Sequence, residues 1–447
     1  MSTTAPATRS RAFQAKPSRR QIAESVVKAV TVPGILLLDF WKTRSESYRH
    51  WLLTIFMAVL GFVMLVETSG DARRHLMAVE MVYANMSLEV FLEDLWRILT
   101  FRLTESGTKD VYKHVISYFF GNVLGLPQLF FPFVAIVYGY FFSGAVLHVL
   151  RQVELSKLNY VLLGFIAVFL FTRGIEAFFT VRTWTGMWIL VYACLKYYER
   201  PQLRYLLLMF VPPFIHIGFF LMAIPAWIVL AFGSRPLLYT IVFGMSSVTT
   251  VLPVQTITQQ IERTERGETQ VQGYYREEQD SAVEEFVALR QQTNWYNAYR
   301  SAGLQRWAPT VLVITLLASG FYLRYMTRYQ KRIFSIGLLT LAFSNMTWFL
   351  FALHNRSLDI ASIFLLAAFL MTRFDPESQY RFRNLPPYYK GGLYLTLLLF
   401  LPLTIYRLSV ASERFGFLSL IFPFVAILLP EANFSFKEAA NALLGRG

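Results

Sequence analysis

Residues 159–200 of the chain read NYVLLGFIAVFLFTRGIEAFFTVRTWTGMWILVYACLKYYER. They contain two apolar runs, at about 159–180 and 184–198, of the length that crosses the ~30 Å hydrocarbon core of a bilayer as a helix. Runs this uniformly apolar indicate helices rather than barrel strands, in which apolar and polar residues alternate. The stretch therefore predicts a pair of membrane-spanning helices joined by a short polar turn.

The rest of the chain repeats this pattern. Of its 447 residues, 55% are apolar and 16% are charged, a composition that excludes an ordinary soluble protein. Ten further apolar runs lie at about 51–67, 128–149, 204–218, 219–232, 237–253, 308–324, 334–353, 358–373, 392–408 and 416–430. We therefore expect an all-α polytopic membrane protein with about 12 transmembrane helices.

The formal net charge of +14 is explained best by topology. Residues 204–232 form either one long helix or two short ones that part near Pro212, Pro213 and His216. If the segment forms two helices, the basic clusters that follow residues 323 and 372 both lie on the cytoplasmic side, as the positive-inside rule requires. Most of the surplus basicity then orients the chain in the membrane, so we expect anionic lipid headgroups as partners and no nucleic acid.

The same reading divides the chain into three regions. Residues 1–50 form a basic cytoplasmic N-terminal region, 51–430 the transmembrane domain, and 431–447 a cytoplasmic tail. Two long outer segments interrupt the domain, at about 68–127 and 254–306. In the first, one helix face carries Leu88, Leu92, Leu95 and Leu99, which is typical of an amphipathic helix on the periplasmic membrane surface. The second is hydrophilic and is interpreted as a periplasmic cap or loop.

The sequence contains none of the common catalytic or cofactor-binding motifs of soluble enzymes. The single cysteine, Cys194, lies inside an apolar run, which excludes disulfides within the chain and thiolate metal clusters. Glycine-rich phosphate loops, nucleophile elbows and histidines at metal-ligand spacing are absent, so we expect neither a metal nor a cofactor. The remaining functional candidates are ionisable residues near membrane depth.

These candidates gather at the predicted outer ends of the spans. They are Asp71, Arg73, Arg74, Arg173, Glu176, Arg182, His216 and Arg356. The planar guanidinium of arginine binds phosphate through two hydrogen bonds and keeps its charge when desolvated. The arginines are thus predicted to bind a lipid-linked phosphate or diphosphate, and Asp71, Glu176 or His216 is predicted to act as the catalytic general base.

Structural explanations of the same residues remain open. Arg173 and Glu176 are three residues apart and can pair with each other. Arg182 can be an interfacial arginine that extends its head group to water, and Arg356 an ordinary loop charge. His216 follows two prolines and can bond to a carbonyl that they free, whereas Asp71 has the sequence context of a helix cap.

The order of motifs in residues 159–231 resembles the EpsG family of exopolysaccharide polymerases, which is itself similar to the Wzy-type O-antigen polymerases. The motifs are Phe178-Phe179-Thr180-Val181-Arg182 with Gly186 one turn later, Lys196-Tyr197-Tyr198-Glu199-Arg200, and Phe214-Ile215-His216. Ser69-Gly70-Asp71 and the segment from Leu126 to Phe131 are also similar to that family. The resemblance extends over residues 51–240.

This resemblance implies a fold like that of the GT-C glycosyltransferases. It implies a bacterial inner-membrane enzyme that links undecaprenyl-diphosphate-linked oligosaccharides into a polysaccharide on the periplasmic face, together with other polysaccharide assembly proteins. Arg182, Arg173 and Arg356 would then neutralise the departing diphosphate. An O-antigen ligase-like transfer, a flippase for a lipid-linked glycan and a non-catalytic scaffold are the alternatives.

Overall fold

The computed structural model of the protein describes residues 17–66, 71–153, 159–248, 299, 303–348, 350–374, 386–423 and 434–443. These residues form an all-helical structure. In chain order the α-helices are α1 (Arg19–Thr31), α2 (Gly34–Lys42), α3 (Glu46–Val63), α4 (Asp71–Met77), α5 (Leu88–Leu99), α6 (Val111–Tyr118), α7 (Phe130–Leu150), α8 (Tyr160–Thr172), α9 (Thr183–Glu199), α10 (Leu203–Leu208), α11 (Pro212–Ile215), α12 (Phe219–Met222), α13 (Ile224–Phe232), α14 (Pro236–Val248), α15 (Trp307–Ala318), α16 (Phe321–Arg324), α17 (Arg328–Met346), α18 (Phe351–Arg373), α19 (Pro387–Arg414), α20 (Phe417–Ile421) and α21 (Phe436–Leu443).

Membrane character is borne out by four long apolar helical segments among the described residues. They are Pro127–Leu150, Tyr160–Thr180, Ala352–Arg373 and Pro387–Arg414, and each is long enough to cross a bilayer. The shorter apolar segments Leu203–Ile215, Phe219–Phe232, Pro236–Val248 and Leu304–Ala318 coincide with other predicted spans. The total of twelve spans and the GT-C architecture stay predictions, and most of the predicted cap at 254–306 lies outside the described residues.

Helix α18 lies at the centre of the helix bundle. Residues 360–371 of this helix are all buried, and it packs against α17, α8, α15 and α7. Gly337 allows α17 to lie close to α18, because a Cβ atom at this position would be 2.8 Å from the Leu365 side chain. The core of the protein is thus built around a helix that has almost no exposed surface.

The start of α18 corrects a predicted boundary. The apolar pattern places the polar residues 354–357 in a turn between spans, but the helix begins at Phe351. His354 and Asp359 are 3% and 1% exposed, so these polar side chains point into the protein instead of into solvent. A hydropathy pattern assigns polar residues to turns, whereas a buried polar site can lie within a helix.

Residues 204–232 form four short helices, α10 to α13, where one long or two short helices were expected. Consecutive prolines at 212 and 213 begin α11, because a proline lacks the N–H that a preceding turn would use. The helix ends at Ile215, and His216 has extended backbone torsions, φ −152° and ψ 123°. The break presents the His216 side chain at a helix end, where it is not constrained to a helix face.

The segment that follows residue 70, predicted to lie on the outer side, is a folded helical unit. Asp94 accepts hydrogen bonds from the backbone N–H groups of Glu105 (2.9 Å) and Ser106 (3.0 Å), which fixes the loop after α5. His114 of α6 lies 3.0 Å from the hydroxyl of Tyr83 and 3.0 Å from the carbonyl of Phe91. These contacts join α5 and α6, and they hold Asp110 at the start of α6. The predicted helix at 88–99 is confirmed, with Leu88, Leu92 and Leu99 exposed.

Candidate functional site

The site centres on Asp110, which is 1% exposed. Its Oδ1 accepts hydrogen bonds from the backbone N–H of Ile217 (2.7 Å) and from Nδ1 of His216 (3.1 Å). Its Oδ2 accepts one from a guanidinium nitrogen of Arg182. Although Asp110 precedes α6, its side chain does not cap that helix. The carboxylate instead joins α6, α9 and the loop after α11 at one point.

The environment of Asp110 stabilises its ionised form. Burial alone would raise its pKa, but the hydrogen bond from His216, the charge of Arg182 and the N–H of Ile217 lower it well below the ordinary value of 3.8. Asp110 is therefore an anion at neutral pH, and it can stabilise positive charge on His216.

His216 is bonded at both ring nitrogens. Arg356 Nη1 lies 3.0 Å from His216 Nε2, and a guanidinium is a donor only, so Nε2 accepts this hydrogen bond. Nδ1 therefore carries the proton and donates it to Asp110. This is the tautomer of a histidine whose Nε2 serves as a base while a carboxylate orients the ring.

Arg182 is held by an unusual backbone conformation. The preceding residue, Val181, is fully buried and has φ +58°, a region that β-branched residues rarely adopt because of steric clashes. Such strain costs about 1–3 kcal/mol and is concentrated at functional sites. Arg182 Nε is buried and has no hydrogen-bond partner among the described residues, while the side chain as a whole is 29% exposed.

Further positive charge surrounds the Asp110 carboxylate. Lys113, on the first turn of α6, is half-buried, and burial together with the charge of Arg182 lowers its pKa from 10.5 to about 8. Burial and the charges of Lys113, Arg182 and Arg74 lower the pKa of His75 to about 2, so His75 is neutral. Cations exceed carboxylates here, which is the electrostatic character of an anion-binding site.

Glycines give this loop room beside α9. A Cβ atom at Gly186 would lie 2.7 Å from the ring of Phe219, so the absence of a side chain lets Phe219 pack directly against α9. Gly218 lies next to the imidazole, where a Cβ atom would stand 3.3 Å from His216 Nε2. The small residue one turn after Arg182 thus has a steric role that positions the His216 loop.

Arg173 lies in a separate buried ion pair. Its Nε donates to Asp359 Oδ2 (2.8 Å), and Gln305 Nε2 donates to Asp359 Oδ1 (3.1 Å). The guanidinium also stacks on the ring of Trp184 at 3.5 Å. The described contacts thus pair Arg173 with a residue of α18, a partner that its spacing of three from Glu176 does not suggest.

Glu176 lies in another buried environment, close to Arg173. The side chain is 2% exposed, and neither carboxylate oxygen has a hydrogen-bond partner among the described residues. The hydroxyl of Tyr138 donates to the carbonyls of Arg173 (3.1 Å) and Gly174 (2.5 Å), which supports the break at the end of α8. The described contacts do not join Glu176 to His216.

The three candidates on α4 lie at the edge of the site. Asp71 and Arg74 form an exposed ion pair at 2.6 Å, and Asp71 is the first residue of α4. Arg73 is half-buried and, in the described part of the chain, has no hydrogen bond from its side chain. The structure therefore brings His216, Arg182 and Arg356 together, with Arg74 close by, while Asp71 has the position of a helix start.

Two residues of this cluster were not predicted, Asp110 and Lys113. An aspartate directly before the apolar helix Val111–Tyr118 has the pattern of an ordinary N-cap, so its sequence context conceals its role. Lys113 lies in the segment at about 68–127, in which the leucine pattern predicts a membrane-surface helix and not a site. Within the described ranges, no group of three or more His, Cys, Asp or Glu residues is arranged to hold a metal ion.

Comparisons with known proteins give no match for this chain among family models, curated proteins or solved structures.

Proposed function

We propose that the protein polymerises oligosaccharide repeat units carried on undecaprenyl diphosphate, at the periplasmic face of a bacterial inner membrane. The observation that carries the proposal is the convergence of Asp110, His216, Arg182 and Arg356 from four separate parts of the chain. A carboxylate-oriented histidine supplies a base, and the neighbouring cations supply a site for a diphosphate. Long apolar helices give the site access to a lipid-borne substrate.

In the proposed reaction, a sugar hydroxyl of the acceptor attacks the anomeric carbon of the donor. The new C–O bond forms as the bond from the anomeric carbon to the diphosphate oxygen breaks, and the diphosphate leaves with the electron pair. His216 Nε2 takes the hydroxyl proton, and the imidazolium is stabilised by Asp110 through Nδ1–H. No redox step or sugar nucleotide is required.

Arg182 and Arg356 are the proposed ligands of the leaving diphosphate. Charge develops on that group as the glycosidic bond breaks, so fixed guanidinium donors lower the barrier more than they strengthen ground-state binding. Lys113 and Arg74 add positive charge to the same region. Of the predicted bases, we retain His216, because Asp71 is exposed and paired with Arg74.

The test uses the purified full-length protein in detergent with lipid-linked repeat units, and it follows the ladder of product lengths. We expect His216→Asn and Asp110→Asn each to lower the rate on the order of 10²-fold or more, and Arg182→Gln to do the same. His50→Asn and Arg204→Gln are the matched controls. His50 bonds to the carbonyl of Tyr140 (2.7 Å), and Arg204 pairs with Gln202 on an exposed surface.

The form of the product separates the alternatives. A ladder that disappears in His216→Asn supports polymerisation, whereas a single transfer to a fixed acceptor indicates a ligase with the same site. Full-length polymer from His216→Asn or Arg182→Gln at the wild-type rate would refute the proposed active site. Movement of lipid-linked units across the membrane without any joining would identify a transporter.

A further inference from the structure

The bond between Arg356 and His216 blocks the atom that the proposed reaction needs. The lone pair of His216 Nε2 accepts a hydrogen bond from Arg356 at 3.0 Å, so a substrate hydroxyl cannot donate to it at the same time. Asp110 already occupies the other ring nitrogen. In this arrangement the histidine has the correct tautomer for a base, but it is not available as one.

Arg356 is suited to changing partners. It is partly exposed, and in the described part of the chain its only hydrogen bond is the one to His216. A guanidinium has five N–H donors, and with a phosphate it forms two parallel hydrogen bonds between opposite charges, whereas the imidazole accepts only one and is neutral. A diphosphate near Arg182 and Lys113 therefore competes effectively with the imidazole for Arg356.

We propose that Arg356 is a latch that makes His216 available only after the anionic donor has bound. The diphosphate draws Arg356 away from Nε2, while Asp110 keeps the ring oriented through Nδ1. The freed Nε2 then accepts the hydrogen bond of the acceptor hydroxyl, beside Gly218. This inference rests on the proposed function and adds an order of binding, with the donor before the acceptor.

The latch has a chemical purpose in a site that handles activated sugars. A free base in a site without a donor has no anomeric carbon for an activated hydroxyl to attack. The exchange confines the free base to the complex that already holds the donor. No covalent step is added, because only hydrogen bonds change partners.

The test measures how fast diethyl pyrocarbonate acylates His216 in the full-length protein, by mass spectrometry of peptides. We expect slow labelling without ligand and about five- to tenfold faster labelling with saturating inorganic diphosphate, the range that corresponds to loss of one hydrogen bond. Arg356→Ala should label at the fast rate without diphosphate and should not respond to it. Arg204→Ala removes an equal charge elsewhere, and His50 is the internal reference.

Each result bears on the latch. A His216 rate that diphosphate leaves unchanged or lowers would refute it, and so would equal rates in the wild type and Arg356→Ala. If either occurs while His216→Asn still abolishes chain elongation, the latch is wrong and the polymerase assignment stands. If His216→Asn elongates normally, the proposed function itself fails.

Discussion

Lys113 is a residue whose charge depends on the fold of the site. In an unfolded chain its ammonium would titrate near 10.5, but burial and the charge of Arg182 lower its pKa to about 8 in the protein. The charge is therefore complete below about pH 7 and is lost as the pH rises through 8. Its presence adds one cation to the region that the proposed diphosphate enters.

We predict that inorganic sulfate, a dianion whose charge does not change in this range, binds more weakly as the pH rises from 7 to 9.5, by about tenfold. The reason is that Lys113 loses its proton in this interval, whereas the arginines keep theirs. Isothermal titration calorimetry at several pH values measures the effect. Lys113→Met should remove most of the pH dependence, and Lys42→Met, at the exposed end of α2, should retain it. The same slope in both variants would contradict the assignment.

The residues of the site were predictable to different degrees. Arg182, His216 and Arg356 could be chosen from the sequence, because charged and imidazole groups near membrane depth are costly and hence functional by default. Asp110 could not, because its position before a helix has the ordinary explanation of a cap. The partner of Arg173 was also beyond sequence reasoning, since Asp359 lies 186 residues away.

At the level of elements, the contact of α9 with the loop after α11 positions the catalytic histidine proposed above. Phe219 packs where Gly186 lacks a side chain, and this contact fixes the loop that carries His216. The break in residues 204–232 was predictable from Pro212 and Pro213, because proline removes a backbone donor. The start of α18 was not predictable from hydropathy, because buried polar residues resemble a turn in such a pattern.

We predict that Gly186→Ala lowers the polymerisation rate at least tenfold. A new Cβ atom 2.7 Å from the ring of Phe219 forces the loop away from α9, and misplacement of a catalytic group by about 1 Å can cost 10²-fold. Gly244→Ala in α14 is the control, because a Cβ there meets nothing within 4 Å and alanine favours a helix. Equal activities of the two variants would show that the contact does not position His216.

At the level of the whole molecule, the pair Arg173–Asp359 connects the two halves of the chain. It joins the end of α8 to α18, and Gln305 adds a third part of the chain to the same carboxylate. Both charged side chains are buried, at 7% and 1% exposure. Breaking such a pair is costly, because the remaining charge loses its compensation in a medium of low dielectric constant.

We predict that Asp359→Asn destabilises the protein by about 3–5 kcal/mol, measured as a lower unfolding temperature in detergent. The double variant Arg173→Met with Asp359→Leu should regain most of this loss, since replacing both charges removes the burial penalty. The exposed pair Lys437–Glu413, at 2.5 Å, is the control, and Glu413→Gln should cost less than about 1 kcal/mol. Equal losses from the buried and the exposed pair would refute this account.

The central position of α18 has a consequence for how the protein enters the membrane. A charged residue in the middle of an isolated transmembrane helix costs about 2.5–3.5 kcal/mol on insertion, and α18 carries Arg356 and Asp359 within its first three turns. It packs most extensively against α17, the helix that immediately precedes it in the chain. We therefore expect these two helices to enter the bilayer together as a hairpin, so that the polar residues of α18 are covered by a neighbouring helix as they insert.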